Sequence, residues 1–404
     1  MKTSNVYWQI FAVASILILS LLVALHNSKT SACPRQTKAK AKPDAKTLPT
    51  FTRVLLLEQS AETSANVSIG DLNGDGFPDL VLAKGRHWPL IDRVLLNDGH
   101  GHFPIAHNLS DVADRSYSVT LADIDRDGDL DVVVGNDAPD PKRVYANDGK
   151  ANFHLVSTFG HPDWPTRNAT VADINHDGLP DIIVANRTDD SKGSNYVCFN
   201  KGKGQFGADC LAFSHESATT ITPADLNGDG FVDLVVPHRD GGQSYVYIND
   251  GKAGFGRTVP FGPHDAAIRV AEAADLNGDG ILDIVAIDER RGAFICFGQR
   301  SLQFSSPVAI GSKGVVPYAL TLGDLNRDGA IDVVVGNVEA PSIAYFNDGT
   351  AQHFTPVTFG DNKGTVYGLA IGDLDGDGLQ DIAAARSDAP NVVYFAVASS
   401  GNAQ

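Results

Sequence analysis

The residues best suited to chemistry are acidic clusters that recur along the chain. In residues 224–236, ADLNGDGFVDLVV, oxygen-bearing side chains occupy the first, third, fifth and ninth positions of a loop, as Asp225, Asn227, Asp229 and Asp233. Carboxylates this close repel one another unless a cation neutralises them, and Ca²⁺ takes about six to eight oxygen ligands of this kind. Gly230 at the sixth position permits a sharp turn. The spacing therefore predicts a calcium-binding loop.

The same loop occurs seven times, at steps of 49 to 52 residues. Its twelfth position is always Leu, Val or Ala, so it lacks the glutamate that completes an EF-hand. A solvated acidic turn would explain one such loop but not seven in phase. The predicted ligands are Asp71, Asn73, Asp75, Asp79, Asp123, Asp125, Asp127, Asp131, Asp173, Asn175, Asp177, Asp181, Asp225, Asn227, Asp229, Asp233, Asp275, Asn277, Asp279, Asp283, Asp324, Asn326, Asp328, Asp332, Asp373, Asp375, Asp377 and Asp381. We expect up to seven Ca²⁺ ions.

A fixed period of this length indicates a repeat protein. Each unit has one short β-branched strand before the loop, a second after it, such as DVVVGN, and a third that ends in a turn sequence such as Asn-Asp-Gly. A fourth strand is predicted to begin at Phe103, Phe153, Phe206, Phe255, Phe304 and Phe354. Four strands per unit are typical of a β-propeller blade.

The two ends of the repeat region complement each other. The last unit stops without a fourth strand, while an unassigned strand, FTRVLLLE, begins at Phe51 before the first loop. We expect this N-terminal strand to complete blade seven, because an open sheet edge promotes aggregation.

The units resemble FG-GAP repeats, also called VCBS-type repeats, and are similar to the calcium-loop blades of the integrin alpha-subunit N-terminal β-propeller. The resemblance covers residues 51–398, with the sequences VVVGN and IVAN in place of the Gly-Ala-Pro motif that gives the family its name. It implies an all-β, seven-bladed β-propeller with calcium-binding loops between the inner strands. The replacement of this motif favours the broader family over an integrin-like function.

The formal net charge of −17 is concentrated in these loops, whose predicted ligand positions include 23 carboxylates. Seven bound Ca²⁺ ions would neutralise most of it. No stripe of Lys and Arg offsets the acidity, which argues against nucleic acid as a partner.

The N-terminal region differs from the repeats. Residues 8–25 are uncharged and mostly apolar, near the minimum length for a membrane-spanning helix. Residues 1–26 are thus expected to be a signal-anchor helix or a cleaved signal peptide. Residues 27–50 predict a flexible stem, and residues 399–404 a tail. We expect the propeller outside the membrane or secreted, where Ca²⁺ is abundant enough for low-affinity sites.

Three cysteines fall within the repeats. Cys198 and Cys210 flank a predicted hairpin, and they either form a disulfide across it or remain thiols. Cys296 has no equivalent partner, so we expect a buried thiol there.

A second set of candidates, the rim column, stands six positions before the first Asp of each loop. In a propeller, this end of the first strand surrounds the mouth of the central channel, away from the loops. Its Tyr and Arg side chains suit a sugar or an anionic group; the alternative is that they close the channel against one another. The rim column is Ala65, Tyr117, Arg167, Thr219, Arg269, Tyr318 and Tyr367.

The sequence carries no catalytic motif such as G-x-S-x-G or H-E-x-x-H. We therefore expect a calcium-stabilised, non-catalytic binding or adhesion propeller, whose ligand is an extracellular protein or a glycan and contacts the face opposite the loops. The expected ligand-binding residues are Tyr117, Arg167, Arg269, Tyr318, Tyr367, His238 and Trp88.

The alternative function is a carbohydrate-active enzyme. Some polysaccharide lyases resemble this fold and act on a propeller face through Tyr, His and Arg. In this chain such an enzyme would use Tyr117, His238, Arg269 and Tyr318.

Overall fold

The computed structural model describes residues 48–188, 193–311 and 314–398. Its regular elements in these ranges are all β-strands, arranged as seven four-stranded antiparallel sheets and one two-stranded ribbon. A seven-bladed β-propeller is therefore confirmed. These ranges contain no helix long and apolar enough to cross a membrane. The predicted hydrophobic helix, nearly all of the predicted stem and the predicted tail lie outside the described residues.

Six blades take their strands consecutively along the chain. Blade one contains β2 (Ser64–Gly70), β3 (Asp79–Lys84), β4 (Arg93–Leu96) and β5 (Ile105–Asn108). Blade two contains β6 (Ser116–Ala122), β7 (Asp131–Asn136), β8 (Lys142–Asn147) and β9 (Phe153–Phe159). Blade three contains β10 (Thr166–Ala172), β11 (Asp181–Asn186), β12 (Asn195–Cys198) and β13 (Leu211–Ser214). Blade four contains β14 (Thr222–Ala224), β15 (Asp233–Val236), β16 (Ser244–Ile248) and β17 (Arg257–Phe261).

Blade five contains β18 (Ile268–Ala274), β19 (Asp283–Asp288), β20 (Gly292–Cys296) and, as its outer strand, β23 (Val308–Ile310). The ribbon of β21 (Gly298–Gln299) and β22 (Gln303–Phe304) is inserted before that outer strand. Blade six contains β24 (Pro317–Gly323), β25 (Asp332–Asn337), β26 (Ser342–Asn347) and β27 (Phe354–Phe359).

Blade seven is assembled from both ends of the repeat region. It contains β28 (Thr365–Gly372), β29 (Asp381–Ser387), β30 (Val392–Val397) and the N-terminal strand β1 (Thr50–Leu56). β1 pairs antiparallel with β30, with Arg53 opposite Phe395 and Leu56 opposite Val392. The predicted closure of the ring by the N-terminal strand is therefore confirmed.

The core lies between blades rather than within them. The second strands are fully buried in all seven blades, because each blade covers one face of its neighbour. One apolar cluster joins Val334 of blade six to Ile382 of blade seven, and another joins Leu80 of blade one to Val393 of blade seven. A single blade could not bury these faces alone.

The outer strands begin later than predicted in four blades. Phe153 and Phe354 do start their strands, but the outer strands of blades one, three, four and five begin two to five residues after the predicted Phe. Phe153 and Phe354 pack against the apolar clusters between blades, and so do the four Phe side chains that precede their strands. These four are Phe103, Phe206, Phe255 and Phe304.

The cysteine alternatives are resolved by the structure. Cys198, at the end of β12, forms a disulfide with Cys210, which precedes β13, with 4.3 Å between their Cα atoms. Cys296 is a buried thiol. The disulfide closes the same hairpin that the sequence indicated.

Removal of Phe51–Glu58 should leave blade seven with three strands and expose the edge of β30. We expect aggregation or a clearly lower melting temperature, because the unpaired strand edge and the apolar side chains that β1 covers, such as Phe359, would meet water. A control variant that lacks residues 1–45 keeps β1 and should stay folded. Identical thermal melts and light-scattering profiles for the two truncations would contradict closure by β1.

Candidate functional site

All seven acidic loops lie at the same end of the blades. In each blade the first Asp of the loop follows the last residue of the inner strand, and the ninth-position Asp begins the second strand. Blade one is representative: β2 ends at Gly70 and β3 begins at Asp79. The loops thus form one face of the propeller, as the sequence predicted.

The ninth-position Asp joins three parts of its blade. In blade one, Asp79 Oδ2 accepts the backbone N–H of Leu72 at 2.9 Å, and its Oδ1 accepts the backbone N–H of Asn97 at 2.8 Å. The same pair of bonds occurs in the other six blades. Burial raises the pKa of Asp79 to about 6. Each oxygen keeps a second lone pair, so the carboxylate remains able to bind a metal.

An asparagine at the end of the third strand extends this network to the preceding blade. Asn97 Nδ2 of blade one donates to the carbonyl oxygen of Leu374 in the loop of blade seven, at 2.8 Å. Equivalent hydrogen bonds to a backbone carbonyl oxygen are donated by Asn147, Asn200, Asn249 and Asn347. The conformation of each of these loops is therefore tied to the packing of two blades.

The remaining ligand positions are shaped by backbone donors. In blade one, Asp71 accepts the N–H groups of Gly74 and Gly76, both at 2.8 Å. Asn73 Nδ2 donates to Asp75 Oδ2 at 2.9 Å. These bonds hold the side chains of the first, third and fifth positions together before any cation is considered.

Two loops bring three carboxylates together and could hold a metal ion. They are the loops with Asp rather than Asn at the third position, and their carboxylate oxygens lie within 4.8 Å of one another: Asp123, Asp125 and Asp131, and Asp373, Asp375 and Asp377. Both contain a buried carboxylate oxygen without a hydrogen-bond partner among the described residues, Asp123 Oδ1 and Asp373 Oδ1. A buried anionic oxygen without a donor is costly, and a hard cation would satisfy it. The residues present therefore fit a divalent cation such as Ca²⁺.

The loop of blade seven also has arginine partners. Arg53 of β1 donates to Asp375 at 2.7 Å, and its guanidinium carbon lies 3.7 Å from the ring centre of Phe395. Arg327, from the loop of blade six, lies 3.7 Å from Asp373. The N-terminal strand therefore contacts the acidic loop of the blade that it completes.

At the opposite end of the inner strands, the rim column surrounds one cavity. All seven of its residues line a cavity of about 70 Å³, together with Asn66, Asn168, Thr220 and Val270. This volume corresponds to about two water molecules. The structure brings the rim column together, as the sequence indicated.

Arginine and tyrosine side chains of the rim column stack on each other. The guanidinium carbon of Arg269 lies 3.3 Å from the ring centre of Tyr318, and that of Arg167 lies 4.3 Å from Tyr117. The rings of Tyr318 and Tyr367 meet edge to face at 4.8 Å. Such cation–π pairs stabilise the channel mouth, so these side chains form a rigid surface.

The charges of the rim are partly paired. Asp137 lies 2.5 Å from Arg167, while Glu289 lies 2.6 Å from Arg239 and 3.7 Å from Arg269. Burial lowers the pKa of Arg269 to about 10. The guanidinium groups at the channel mouth are thus incompletely neutralised.

Two predicted ligand-binding residues are placed differently from the rim column. Trp88 is 68% exposed and His238 is half-buried on its loop; neither lines the cavity. Trp164 stacks on Tyr196 at 3.9 Å within its own blade, so it does not join the rim. Of the four residues required by the enzymatic alternative, the cavity therefore brings together three and leaves out His238.

Sequence reasoning missed a polar clamp between adjacent inner strands. Ser68 Oγ of blade one donates to the carbonyl oxygen of Val119 in blade two at 2.8 Å, while Asn66 Oδ1 accepts the N–H of the same residue at 3.3 Å. Thr120, Thr170 and Thr222 donate in the same way to blades three, four and five. These bonds satisfy the strand edge that faces the channel. The recurrence of Ser or Thr three residues before the loop was the available signal.

Glu272 replaces the hydroxyl of this clamp in blade five. Thr stands at the equivalent place in four other blades, whereas the Glu272 carboxylate accepts the backbone N–H of Leu322 in blade six. Burial raises the pKa of Glu272 to about 8. Burial therefore shifts the titration of this carboxyl group in the channel wall towards neutral pH.

Comparison with protein families gives one clear match. The model of the FG-GAP-like repeat matches residues 71–134, 127–184, 173–236, 225–286 and 324–384. Together these segments span well over half of the chain. No curated protein sequence matches it.

Similar solved structures include lectins and a propeller from a protein complex. A lectin from Agrocybe aegerita, described as recognising non-reducing terminal N-acetylglucosamine, is 20% identical with a TM-score of 0.55 and coverage of 81% of this chain and 86% of the lectin. The lectin BP39L from Burkholderia pseudomallei is 15% identical, with a TM-score of 0.64 and coverage of 84% and 98%. BBS1N, solved in complex with ARL6DN, is 13% identical, with a TM-score of 0.57 and coverage of 86% and 97%. At these identities the likeness establishes the fold.

Glu272→Thr should stabilise the protein mainly at alkaline pH. Between about pH 4.5 and pH 8 the folded protein retains a proton that the unfolded chain has lost, so the stability due to this carboxyl falls as the pH rises through that window. The variant should melt at least about 2 °C higher than wild type at pH 8.5 and nearly the same at pH 5.

A matched control for this experiment is Thr222→Ala, which removes the neutral hydrogen bond to the Ala271 carbonyl oxygen. It should lower the melting temperature equally at both pH values. Calorimetric melts in which Glu272→Thr gives the same shift at pH 5 and pH 8.5 would contradict the buried, protonated carboxyl.

Proposed function

The chain belongs to the FG-GAP-like repeat family, and from this premise we propose that it is a calcium-stabilised, non-catalytic binding propeller whose ligand contacts the face opposite the acidic loops. This proposal rests on the difference in side chains between the two ends of the blades. One end repeats the same oxygen-rich loop seven times, while the other carries aromatic and arginine side chains that differ from blade to blade. Binding residues concentrate on such variable loops of a rigid scaffold.

Calcium is proposed for all seven loops. Each loop offers three or four carboxylates at its ligand positions, and oxygen-only ligands favour Ca²⁺ over softer metals. The buried, partnerless carboxylate oxygens of Asp123 and Asp373 support this assignment. The chemistry of the ion is structural, since the loops are tied to the blade network by their backbone hydrogen bonds.

The ligand is proposed to be a glycan or an extracellular protein. Trp88 is the most exposed aromatic residue of the rim, and Arg86 beside it stacks on Tyr367 with 3.6 Å between the guanidinium carbon and the ring centre. Exposed Trp, Tyr and Arg supply much of the binding energy at interfaces. Among propellers of the same fold, two lectins recognise sugars and one is found in a protein complex; this agrees with the proposal by analogy.

The propeller is proposed to lie outside the membrane or to be secreted. The Cys198–Cys210 disulfide supports an oxidising compartment. Attachment through an N-terminal signal-anchor within residues 1–26 is part of the same proposal, and it concerns residues outside those described.

Chelation of divalent cations should lower the melting temperature. Ions that bind only the folded state stabilise it, by about 2.7 kcal/mol per site at a concentration one-hundredfold above the dissociation constant. Asp229→Ala damages one loop of seven and should cost less than chelation. Asp229 suits this test because its carboxylate contacts only its own loop. A protein shown by elemental analysis to be metal-free, yet with an unchanged melt, would refute the calcium proposal.

Trp88→Ala should weaken ligand binding by about tenfold or more without lowering the melting temperature. The ligand is first identified in a screen of glycans and extracellular-matrix proteins, with Ca²⁺ and with chelator. Phe77→Ala is the matched control, because Phe77 is an exposed aromatic residue on the acidic-loop face. Loss of binding in the Phe77 variant but not in the Trp88 variant would place the ligand on the wrong face for this proposal.

A further inference from the structure

The cavity at the channel mouth contains polar atoms that the propeller itself does not use. Asn168 Oδ1 and Thr220 Oγ1 both line the cavity, are buried, and have no hydrogen-bond partner among the described residues. Their counterparts in blades one and two are engaged: Asn66 accepts the N–H of Val119, and Ser118 Oγ accepts the N–H of Ala169 at 3.0 Å. The side chain at this strand position therefore accepts a hydrogen bond from the next blade in blades one and two, whereas its counterparts in blades three and four have no such partner in the described part of the chain.

The two partnerless groups coincide with an irregular inner strand. β14 of blade four has three residues, whereas the inner strands of the other blades have seven or eight. Thr219 and Thr220 precede β14 and so lie outside the ladder that holds their equivalents elsewhere. The hydrogen bond made by the side chain at this strand position is missing on both sides of blade four, although Thr170 and Thr222 still donate across the same two interfaces. The cavity lies where that bond is missing.

Positive charge surrounds the same cavity. Arg167 and Arg269 line it, and Arg86 and Arg239 lie beside them. These four guanidinium groups meet two carboxylates, Asp137 and Glu289, while Arg86 donates to the neutral hydroxyl of Ser387 at 2.9 Å. An excess of two positive charges therefore remains at the mouth of the channel.

We propose that this cavity binds the carboxylate end of an acidic sugar, with the guanidinium groups of Arg167 and Arg269 facing the carboxylate and Asn168 and Thr220 facing its neighbouring hydroxyl groups. Guanidinium groups suit carboxylates, and the amide oxygen of Asn168 needs a donor such as a hydroxyl. The inference rests on the proposed rim function and specifies its ligand class.

The size of the cavity limits what can enter. About 70 Å³ admits a carboxylate and the adjoining hydroxyl but not a whole sugar ring. The rest of the ligand would lie on the surface near the exposed Trp88 and the half-buried Tyr117. A free hydroxy acid and the terminal uronic acid of a polysaccharide present the same chemistry, and both serve as probes.

The first experiment compares matched acidic and neutral sugars on the full-length protein with Ca²⁺. Isothermal titration calorimetry with glucuronate against glucose, and galacturonate against galactose, should show about tenfold or greater preference for the acid. An oligosaccharide ending in glucuronate should bind more tightly than the monosaccharide, and glycerate, a free hydroxy acid, more weakly. Equal affinity for the acidic and neutral members, or no binding of either, overturns the proposal.

The second experiment separates ligand contact from structural support. Asn168→Ala with Thr220→Val should weaken glucuronate binding about tenfold without lowering the melting temperature, because Asn168 Oδ1 and Thr220 Oγ1 have no hydrogen-bond partner among the described residues. Ser118→Ala, at the same strand position, should lower the melting temperature and leave the affinity unchanged. If the double variant melts lower, the two single variants are measured. The proposal then requires that each single variant, by itself, weakens binding.

The outcomes distinguish this inference from the proposed function. If Trp88→Ala abolishes binding of a screened ligand while the Asn168/Thr220 variant binds it normally, the rim function stands and the acidic-sugar site is wrong. If neither variant affects any ligand, both are wrong.

Discussion

A buried aspartate with hydrogen bonds on both oxygens is the interaction on which each blade depends. The ninth-position carboxylate fixes the start of the acidic loop, the start of the second strand and the end of the third strand at a single point. In five blades, an asparagine at that point continues the network into the loop of the preceding blade. These hydrogen bonds couple the conformation of each such loop to the neighbouring blade, so a cation bound in the loop would influence both blades.

The two ends of the channel deal with charge in opposite ways. The acidic loops concentrate carboxylates and leave buried oxygens without donors. The rim concentrates guanidinium groups, stacks them on tyrosine rings and pairs some of them with Asp137 and Glu289. Between the two ends, neutral hydroxyl groups line most of the inner strands, and Glu272 stands among them as a carboxyl that burial keeps protonated. The acidic-loop end therefore suits a cationic ligand, and the rim suits an anionic one.

The sequence revealed what is repeated, and the structure was needed for what is not. The loops, the blade count and the closing strand followed from spacing, because every unit repeats the same local pattern. The late start of four outer strands did not follow, since the equivalent Phe begins its strand in blades two and six but precedes it by two to five residues in four other blades. Likewise, the position of Asn168 and Thr220 looks equivalent to that of Asn66 and Ser118. Thr220 precedes the shortened β14, and Asn168 lies in β10 of the adjacent blade, so the irregular strand that accompanies the partnerless groups is visible only in the structure.

Closure by β1 also sets an order of events during synthesis. Arg53 pairs with the backbone at Phe395, a residue about 340 positions later in the chain. At roughly 5–20 residues per second, β1 leaves the ribosome on the order of tens of seconds before its partner exists. During that time its backbone has no native partner, although six blades can already stack on one another. Pairing of β1 with β30 is therefore confined to the end of synthesis of the blades, although β1 is the first of the described strands to be made.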